Sequence, residues 1–257
     1  MSAQRHRNIV KFQGVTNPRG GADFGVVAEF MERGTLSSVL RESNTPLDMN
    51  MRLRMCLDVA DGLRFLHAKG LVVPRLTSRK VLVNDALECK INLFSCQVEG
   101  TALPPVDAVG TGELAYTPPE LLTALPPTSQ QASGMFALGV VMAEILSGIP
   151  PYQSKVQRLG ATRADLEVLR IIRARKDPLE PHERNAAYMS VSGHIRAVVD
   201  GCLNRDPARR PNAHAVVSLL HEVVQMSSGP GSRASQALVQ SAPRSGASQS
   251  ARHFDLA

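Results

Sequence analysis

A long apolar segment at residues 133–148, near the middle of the chain, limits the folds that this sequence can adopt. Its residues are apolar on nearly every side of a helical wheel, which is typical of a helix enclosed by other helices at the centre of a domain. The most apolar part, residues 135–146, is shorter than the ~20 residues that cross a bilayer. The segment therefore predicts a helical domain with a buried central helix, and no membrane insertion.

The rest of the chain alternates between amphipathic helical segments and short strand-like segments. Proline-marked loops separate many of the helices. This pattern predicts an α+β fold in which helices dominate and the sheet is small. The helical segments are residues 51–69, 166–175, 193–203 and 213–224, and the strand-like segments are residues 9–15, 26–30 and 81–83.

Composition and charge narrow the class of protein further. A chain of 257 residues with 43% hydrophobic and 20% charged residues is ordinary for a globular protein. The net charge of +6 is compatible with nucleic-acid binding, but the arginines are spread along the whole chain and only 4% of the residues are aromatic. We therefore expect no nucleic-acid partner.

The cysteines and the two ends of the sequence indicate a soluble cytoplasmic chain. The four cysteines form no CxxC pair, so we expect neither disulfides nor a cysteine-ligated metal. The first residues do not have the basic-then-apolar pattern of a secretory leader. Residues 227–257 are rich in Ser, Gly, Ala and Arg, and they predict a disordered tail because they can bury too little apolar surface.

Residues 71–83 connect the helix at 51–69 to the strand at 81–83. In this frame, residues 63–83 resemble the catalytic-loop segment of protein kinases, where H-R-D-L-x-x-x-N supplies a catalytic Asp and a metal-binding Asn. The catalytic Asp position is Arg75, the assisting Lys position is Thr77 and the metal-binding Asn position is Lys80. The resemblance implies a catalytic loop without any of its catalytic groups.

The second metal position of the resembled family is also altered. Residues 91–95 occupy the place of the D-F-G motif, where Leu93 replaces the metal-binding Asp and Phe94, whose role is packing, is retained. A leucine cannot coordinate Mg²⁺, which takes oxygen ligands. Gly134 likewise replaces an anchoring Asp of the central helix. No bound metal or other cofactor is expected.

Residues 29–36 resemble the kinase hinge, where backbone groups contact adenine. Ala28 then lies at the gatekeeper position, Glu29 and Met31 in the hinge, and Leu82 on the floor of the pocket, so these four residues are candidates for a remnant adenine site. An ordinary strand-to-helix connection explains the same residues. The Gly-rich loop, the phosphate-binding Lys and the helix Glu of a kinase would precede this segment, and they do not fit into residues 1–7.

Two residues of the resembled family with a structural role are retained. Residues 116–120 resemble the A-P-E passage and residues 202–211 the C-L-x-x-D-P-x-x-R-P signature, which places Glu120 opposite Arg210. A bidentate Arg–carboxylate pair stabilises a fold without taking part in chemistry. Between these signatures and the D-F-G position, Thr101, Thr111 and Thr117 are candidate phosphosites by location, although ordinary surface threonines are favoured.

The resemblance covers residues 5–224 and is closest to the tyrosine-kinase-like group. It implies a kinase-like domain at residues 1–226, in which residues 1–31 are a remnant of the N-terminal lobe and the hinge, and residues 32–226 form the helical C-terminal lobe. The function it implies is that of a pseudokinase. Such a protein would act as a scaffold in signalling and bind protein partners, among them an active kinase docked on the helical lobe.

Two alternatives stay open. One is an ATP-dependent serine/threonine kinase that uses Mg²⁺ and is active by an unusual mechanism or within a longer chain. The other is a non-functional gene-model fragment, which predicts exposed apolar surface along residues 9–15 and 26–30.

Overall fold

The computed structural model describes residues 5–17, 25–42, 46–73, 75–92, 94, 96–102, 112–122, 129–174, 179 and 184–227. These residues form eight α-helices and six short strands. The expected α+β class with mainly helical content is confirmed. The helices are α1 (Leu36–Arg41), α2 (Met49–His67), α3 (Gln130–Ser147), α4 (Gln153–Leu159), α5 (Ala161–Arg173), α6 (Ala186–Ser190), α7 (Gly193–Cys202) and α8 (Ala213–Ser227). The strands are β1 (Phe12–Thr16), β2 (Gly25–Ala28), β3 (Leu71–Val72), β4 (Val81–Val83), β5 (Cys89–Ile91) and β6 (Gln97–Val98).

The central helix predicted from the apolar segment is α3. It begins three residues earlier than the apolar segment because Ser129 caps it, with the Ser129 side chain accepting a hydrogen bond from the backbone N–H of Ala132. Every residue of α3 from 133 to 147 is buried, and α3 contacts α2, α6 and α7. Gly148, with φ of 73°, ends the helix in the left-handed conformation that glycine adopts without strain.

Helix α2 supplies the largest amphipathic face. Asp48 caps its first turn by accepting from the backbone N–H of Met51 at 2.7 Å. Its apolar face packs on α3, α8 and β5. The guanidinium of Arg52 also donates to the carbonyl of Ile145, which ties α2 to the end of α3.

The strands form three two-stranded antiparallel sheets within the described residues, pairing β1 with β2, β3 with β6 and β4 with β5. The segment before β1 is joined to β5 by two backbone hydrogen bonds, from Val10 N to Ile91 O at 3.0 Å and from Ile91 N to Asn8 O at 2.9 Å. The buried Asn8 side chain also donates to the carbonyl of Cys89 at 3.0 Å. Residues 8–10 are therefore anchored to the hairpin that follows the catalytic-loop segment.

The hairpin β1–β2 has a bulge between Phe12 and Gly14, where the pairing shifts by one residue. The exposure of the side chains still alternates along β1, since Phe12 and Gly14 are half-buried and Gln13 and Val15 are exposed. Val26, Val27 and the following Phe30 are also exposed, whereas Ile9 and Val10 are buried. The exposed apolar surface that the fragment alternative predicts is therefore found on the β1–β2 hairpin, but not at the preceding residues Ile9 and Val10.

Several other boundaries differ from the sequence predictions. Helix α5 begins at Ala161 rather than at residue 166, and the periodicity missed the short helices α4 and α6. Helix α8 includes Ser227, so the predicted tail begins one residue too early. Predictions that fall on Leu93, Thr111 and residues 228–257 lie outside the described residues.

Candidate functional site

The catalytic-loop segment is held tightly by its backbone and its apolar residues. Val73, Leu76, Thr77 and Ser78 are all buried. The carbonyl of Ser78 accepts from Ser37 N at 3.1 Å, and the carbonyl of Thr77 accepts from Lys80 N at 2.9 Å. The Thr77 hydroxyl, at the position of the assisting Lys, is buried and makes no hydrogen bond with any described residue.

Arg75 and Lys80 place two cations where a kinase has its catalytic Asp and a metal-binding Asn. The ammonium of Lys80 donates to the carbonyl of Arg75 at 3.0 Å and forms an ion pair with Glu113 at 3.4 Å. Burial lowers the pKa of Arg75, and the nearby Glu113 carboxylate partly opposes this shift. These contacts place two cationic side chains where the resembled family has its catalytic carboxylate and a metal-binding amide oxygen.

No group of three metal-binding side chains occurs among the described residues, and Leu93 is not among those residues. Phe94 is described, and its side chain is 49% exposed. The packing role expected for Phe94 is therefore not observed. Its backbone N–H donates to the side-chain oxygen of Asn92 at 3.1 Å, an Asx-type turn that sets the local chain direction without burying the ring.

Gly134 lies beside a buried polar group of α2. The Nε2 atom of His67 is buried and has no hydrogen-bond partner among the described residues, and a Cβ atom built on Gly134 would lie 3.5 Å from it. Burial lowers the pKa of His67 to about 4, so this imidazole is neutral at pH 7.

A buried polar cluster beneath the loop was not predicted from the sequence. The Ser78 hydroxyl donates to Glu144 Oε1 at 3.0 Å, and the Tyr116 hydroxyl donates to Glu144 Oε2 at 2.7 Å. Burial raises the pKa of Glu144 to about 7, although the two hydrogen bonds oppose the shift. The cluster joins the loop, α3 and the short 3-10 helix Leu114–Tyr116.

The four candidate adenine-site residues lie around the connection between β2 and α1. Met31 is buried, and Ala28 and Leu82 are half-buried. The connection pairs with β4, because Arg33 N donates to Val83 O at 3.1 Å and Val83 N to Gly34 O at 2.9 Å. The Glu29 carboxylate accepts from Lys11 N at 2.7 Å and from Lys90 Nζ at 2.8 Å. The structure thus brings the hinge backbone beside Leu82, while nucleotide binding stays a prediction.

Glu120 and Arg210 are in contact, 90 residues apart in the chain. Two parallel hydrogen bonds join them, from Arg210 Nη1 to Glu120 Oε1 at 2.6 Å and from Nη2 to Oε2 at 2.8 Å. Arg210 also donates to the carbonyls of Ala132 and Asn204 at 2.8 and 2.7 Å, and its guanidinium lies 5.1 Å from the centroid of the Phe136 ring. The pair therefore ties the segment around Glu120 and the segment 204–210 to the start of α3.

The candidate phosphosites have different environments. Thr117 is completely buried and its hydroxyl donates to the carbonyl of Glu113 at 3.1 Å, so the expectation of a surface threonine is wrong there. Thr101 is exposed, and Thr111 lies outside the described residues. Thr117 is not accessible to a modifying enzyme in this fold.

A model of the family of protein tyrosine and serine/threonine kinases matches residues 1–220. The chain belongs to the protein kinase family. It is similar to the mouse "Dual specificity testis-specific protein kinase 1", with 28% identity over 82% of this chain and 36% of the relative. It is also similar to the Arabidopsis thaliana "Serine/threonine-protein kinase CTR1", with 28% identity over 91% of this chain and 27% of the relative.

A third relative is named as a scaffold protein and not as a kinase. The human "Scaffold protein ILK" is 25% identical over 85% of this chain and 45% of the relative. The three relatives place this kinase domain in the tyrosine-kinase-like group, which confirms the resemblance and the kinase-like fold. The chain spans less than half the length of each of them. None of the helices in the described part of the chain is long and apolar enough to cross a membrane.

Proposed function

We propose that this chain is a catalytically inactive kinase domain that acts as a scaffold in signalling. The observation that carries the proposal is the ion pair of Lys80 with Glu113 beside Arg75. In a kinase the protein contributes mainly positioning and charge neutralisation by metal ions, and it accepts the substrate proton on an Asp. An arginine cannot accept that proton, and a lysine cannot hold the metal.

The retained features support an interaction role. The bidentate pair of Arg210 with Glu120 and the buried cluster around Glu144 keep the helical lobe rigid without contributing to phosphoryl transfer. One relative is named a scaffold protein. We infer that this chain binds protein partners in the cytoplasm, among them an active kinase that docks on the helical lobe.

The second candidate is an active ATP-dependent protein kinase. The observation that favours it is that two relatives at 28% identity are named as kinases. This candidate requires that Mg²⁺ and ATP bind together in spite of Arg75 and Lys80. It therefore differs from the first in one measurable property, the dependence of nucleotide binding on a divalent metal.

A thermal-shift titration with ATP, with and without Mg²⁺ or Mn²⁺, tests the proposal. A ligand at a hundredfold excess over its Kd stabilises a protein by about 2.7 kcal/mol, which is easily detected. We expect no metal-dependent shift for the natural chain. A variant with Arg75→Asp, Lys80→Asn and Leu93→Asp is the matched comparison, because it restores the oxygen ligands. A clear Mg²⁺-dependent stabilisation of the natural chain would refute the proposal and favour the enzyme.

A further inference from the structure

A charged cavity lies near the start of the described chain, away from the catalytic-loop segment in sequence. Its volume is about 260 Å³. Three separate parts of the fold form it: the lead into β1, the residue that follows β2, and the middle of β5. Its charged and polar walls are Arg5, His6, Arg7, Lys11, Glu29 and Lys90.

Cations outnumber carboxylates in this cavity. Arg5, Arg7, Lys11 and Lys90 face a single carboxylate, that of Glu29. Burial opposes the ionisation of Glu29, but hydrogen bonds from Lys90 and from the backbone of Lys11 lower its pKa overall, so it is ionised and already bound. Among the described residues, no carboxylate lies within ion-pair distance of the Arg5 or Lys11 side chains. The cavity therefore has an excess of positive charge.

Asp61, which contacts His6 and Arg7, is shared with a further partner. Asp61 lies closest to Arg64, at 2.6 Å, and is farther from His6 and Arg7, at 3.5 and 3.9 Å. Because Asp61 is mostly buried and shared among three partners, it offers Arg7 only a weak contact. The Arg7 side chain is 65% exposed, and its Nε atom donates to Asn8 Oδ1 at 3.2 Å.

The chemistry of the residues that line the cavity favours one class of ligand over others. Small-molecule sites are lined mostly by apolar side chains, whereas Ile9 is the sole apolar member of the lining described here. Nucleic-acid sites offer aromatic faces to bases, but the adjacent ring of Phe65 is already stacked on His6 at 4.7 Å. Clusters of arginine and lysine around a shallow cavity are typical of sites that recognise acidic or phosphorylated peptide motifs.

We propose that this cavity binds an acidic peptide segment of a partner protein, with Arg5, Arg7 and Lys11 contacting its carboxylate or phosphate groups. The proposal rests on the proposed function as an interaction module and names the chemistry of one partner. Binding of this kind weakens as the salt concentration rises, because exposed charges are screened.

Fluorescence anisotropy with the whole chain and a labelled hexaglutamate peptide tests the site. The double variant Arg5→Glu, Lys11→Glu should weaken binding by about tenfold or more, since like charges then face the peptide. The double variant Arg163→Glu, Arg170→Glu is the matched control, because it changes the net charge equally at two exposed positions of α5. We expect it to change the affinity less than about twofold. Hexaglutamine should not bind.

Three results would overturn the proposal. Equal weakening by both double variants would mean that only the overall charge matters. Equal or tighter binding of a six-nucleotide thymidine oligomer would indicate a nucleic-acid site, and displacement of the peptide by inorganic phosphate at equal concentration would indicate a simple anion site. The assay contains no ATP or metal, so its failure leaves the proposed function intact. A Mg²⁺-dependent ATP shift with normal peptide binding would refute the proposed function alone.

Discussion

Replacing Glu120 by glutamine should destabilise the fold strongly, because it removes the charge that compensates Arg210. The Arg210 side chain is fully buried and that of Glu120 is 14% exposed. Glu120→Gln keeps the size of the side chain and leaves one acceptor for the guanidinium. The other partners of Arg210 are neutral carbonyls and the face of the Phe136 ring, which cannot replace a negative charge.

The expected loss of free energy of unfolding follows from the burial of the pair. Removing one partner of a buried ion pair typically costs about 3–5 kcal/mol, because an uncompensated charge is left in the interior. For a domain of roughly 200 residues, each 1 kcal/mol lowers Tm by about 2–4 °C. Glu120→Gln should therefore lower Tm by roughly 6–20 °C.

Urea denaturation and thermal unfolding of the purified chain measure this effect. Glu167→Gln is the matched control, since Glu167 pairs with Arg170 at 3.5 Å on the surface, where the two side chains are 37% and 81% exposed. An exposed pair of this kind contributes less than about 1 kcal/mol. If Glu120→Gln cost no more than Glu167→Gln, the inference that the charge of Glu120 holds Arg210 in the interior would be refuted.

Two further predictions concern buried titratable groups near the loop. Gly134→Asp should raise the pKa of His67 well above about 4, because it brings a carboxylate toward the Nε2 atom, which has no partner among the described residues. The control variant Gly134→Ala should leave this pKa unchanged. An NMR titration of the imidazole measures both pKa values, and equal values in the two variants would contradict the prediction. Glu144 has a folded pKa raised from 4.5 to about 7, so its contribution to stability is full below pH 4.5 and is lost as the pH rises to 7. This loss of unfolding free energy is on the order of 3 kcal/mol. Glu144→Gln should abolish it, and urea unfolding measured between pH 4.5 and pH 7 tests this. His67 contributes in the opposite direction, since its lowered pKa gives stability that is present above pH 6.5 and lost as the pH falls toward 4. The effect of Glu144 is therefore measured as the difference in pH dependence between the Glu144→Gln variant and the natural chain. The same pH dependence in both proteins would contradict the prediction for Glu144.

The sequence predicted the parts of the fold that depend on local patterns. The buried helix α3 followed from apolar residues on all its sides, and the contact of Glu120 with Arg210 followed from two motifs whose spacing is characteristic of the family. The cluster of Ser78, Tyr116 and Glu144 could not be predicted in this way. Its members come from segments 28 to 66 residues apart, and no pattern along the chain indicates that they meet.

The exposure of Phe94 shows a second limit of pattern reading. The resembled motif assigns this residue a packing role, yet its side chain is 49% exposed. For Phe94, retention of a motif residue did not imply retention of its packing.

The residues at the altered positions of the loop make contacts of their own, which bears on the proposed role of this domain as a scaffold. Lys80 joins the loop to Glu113, and the buried Thr117 hydroxyl binds the carbonyl of that same Glu113. The loop and the segment at residues 112–117 are therefore held together by the side chain at the former metal-binding position. Catalytic residues usually reduce stability because they hold charges and strained geometry ready for reaction. Under the proposed scaffold function the loop does not have that requirement and can pack as a rigid surface, and rigid surfaces bind partners with a smaller loss of conformational entropy.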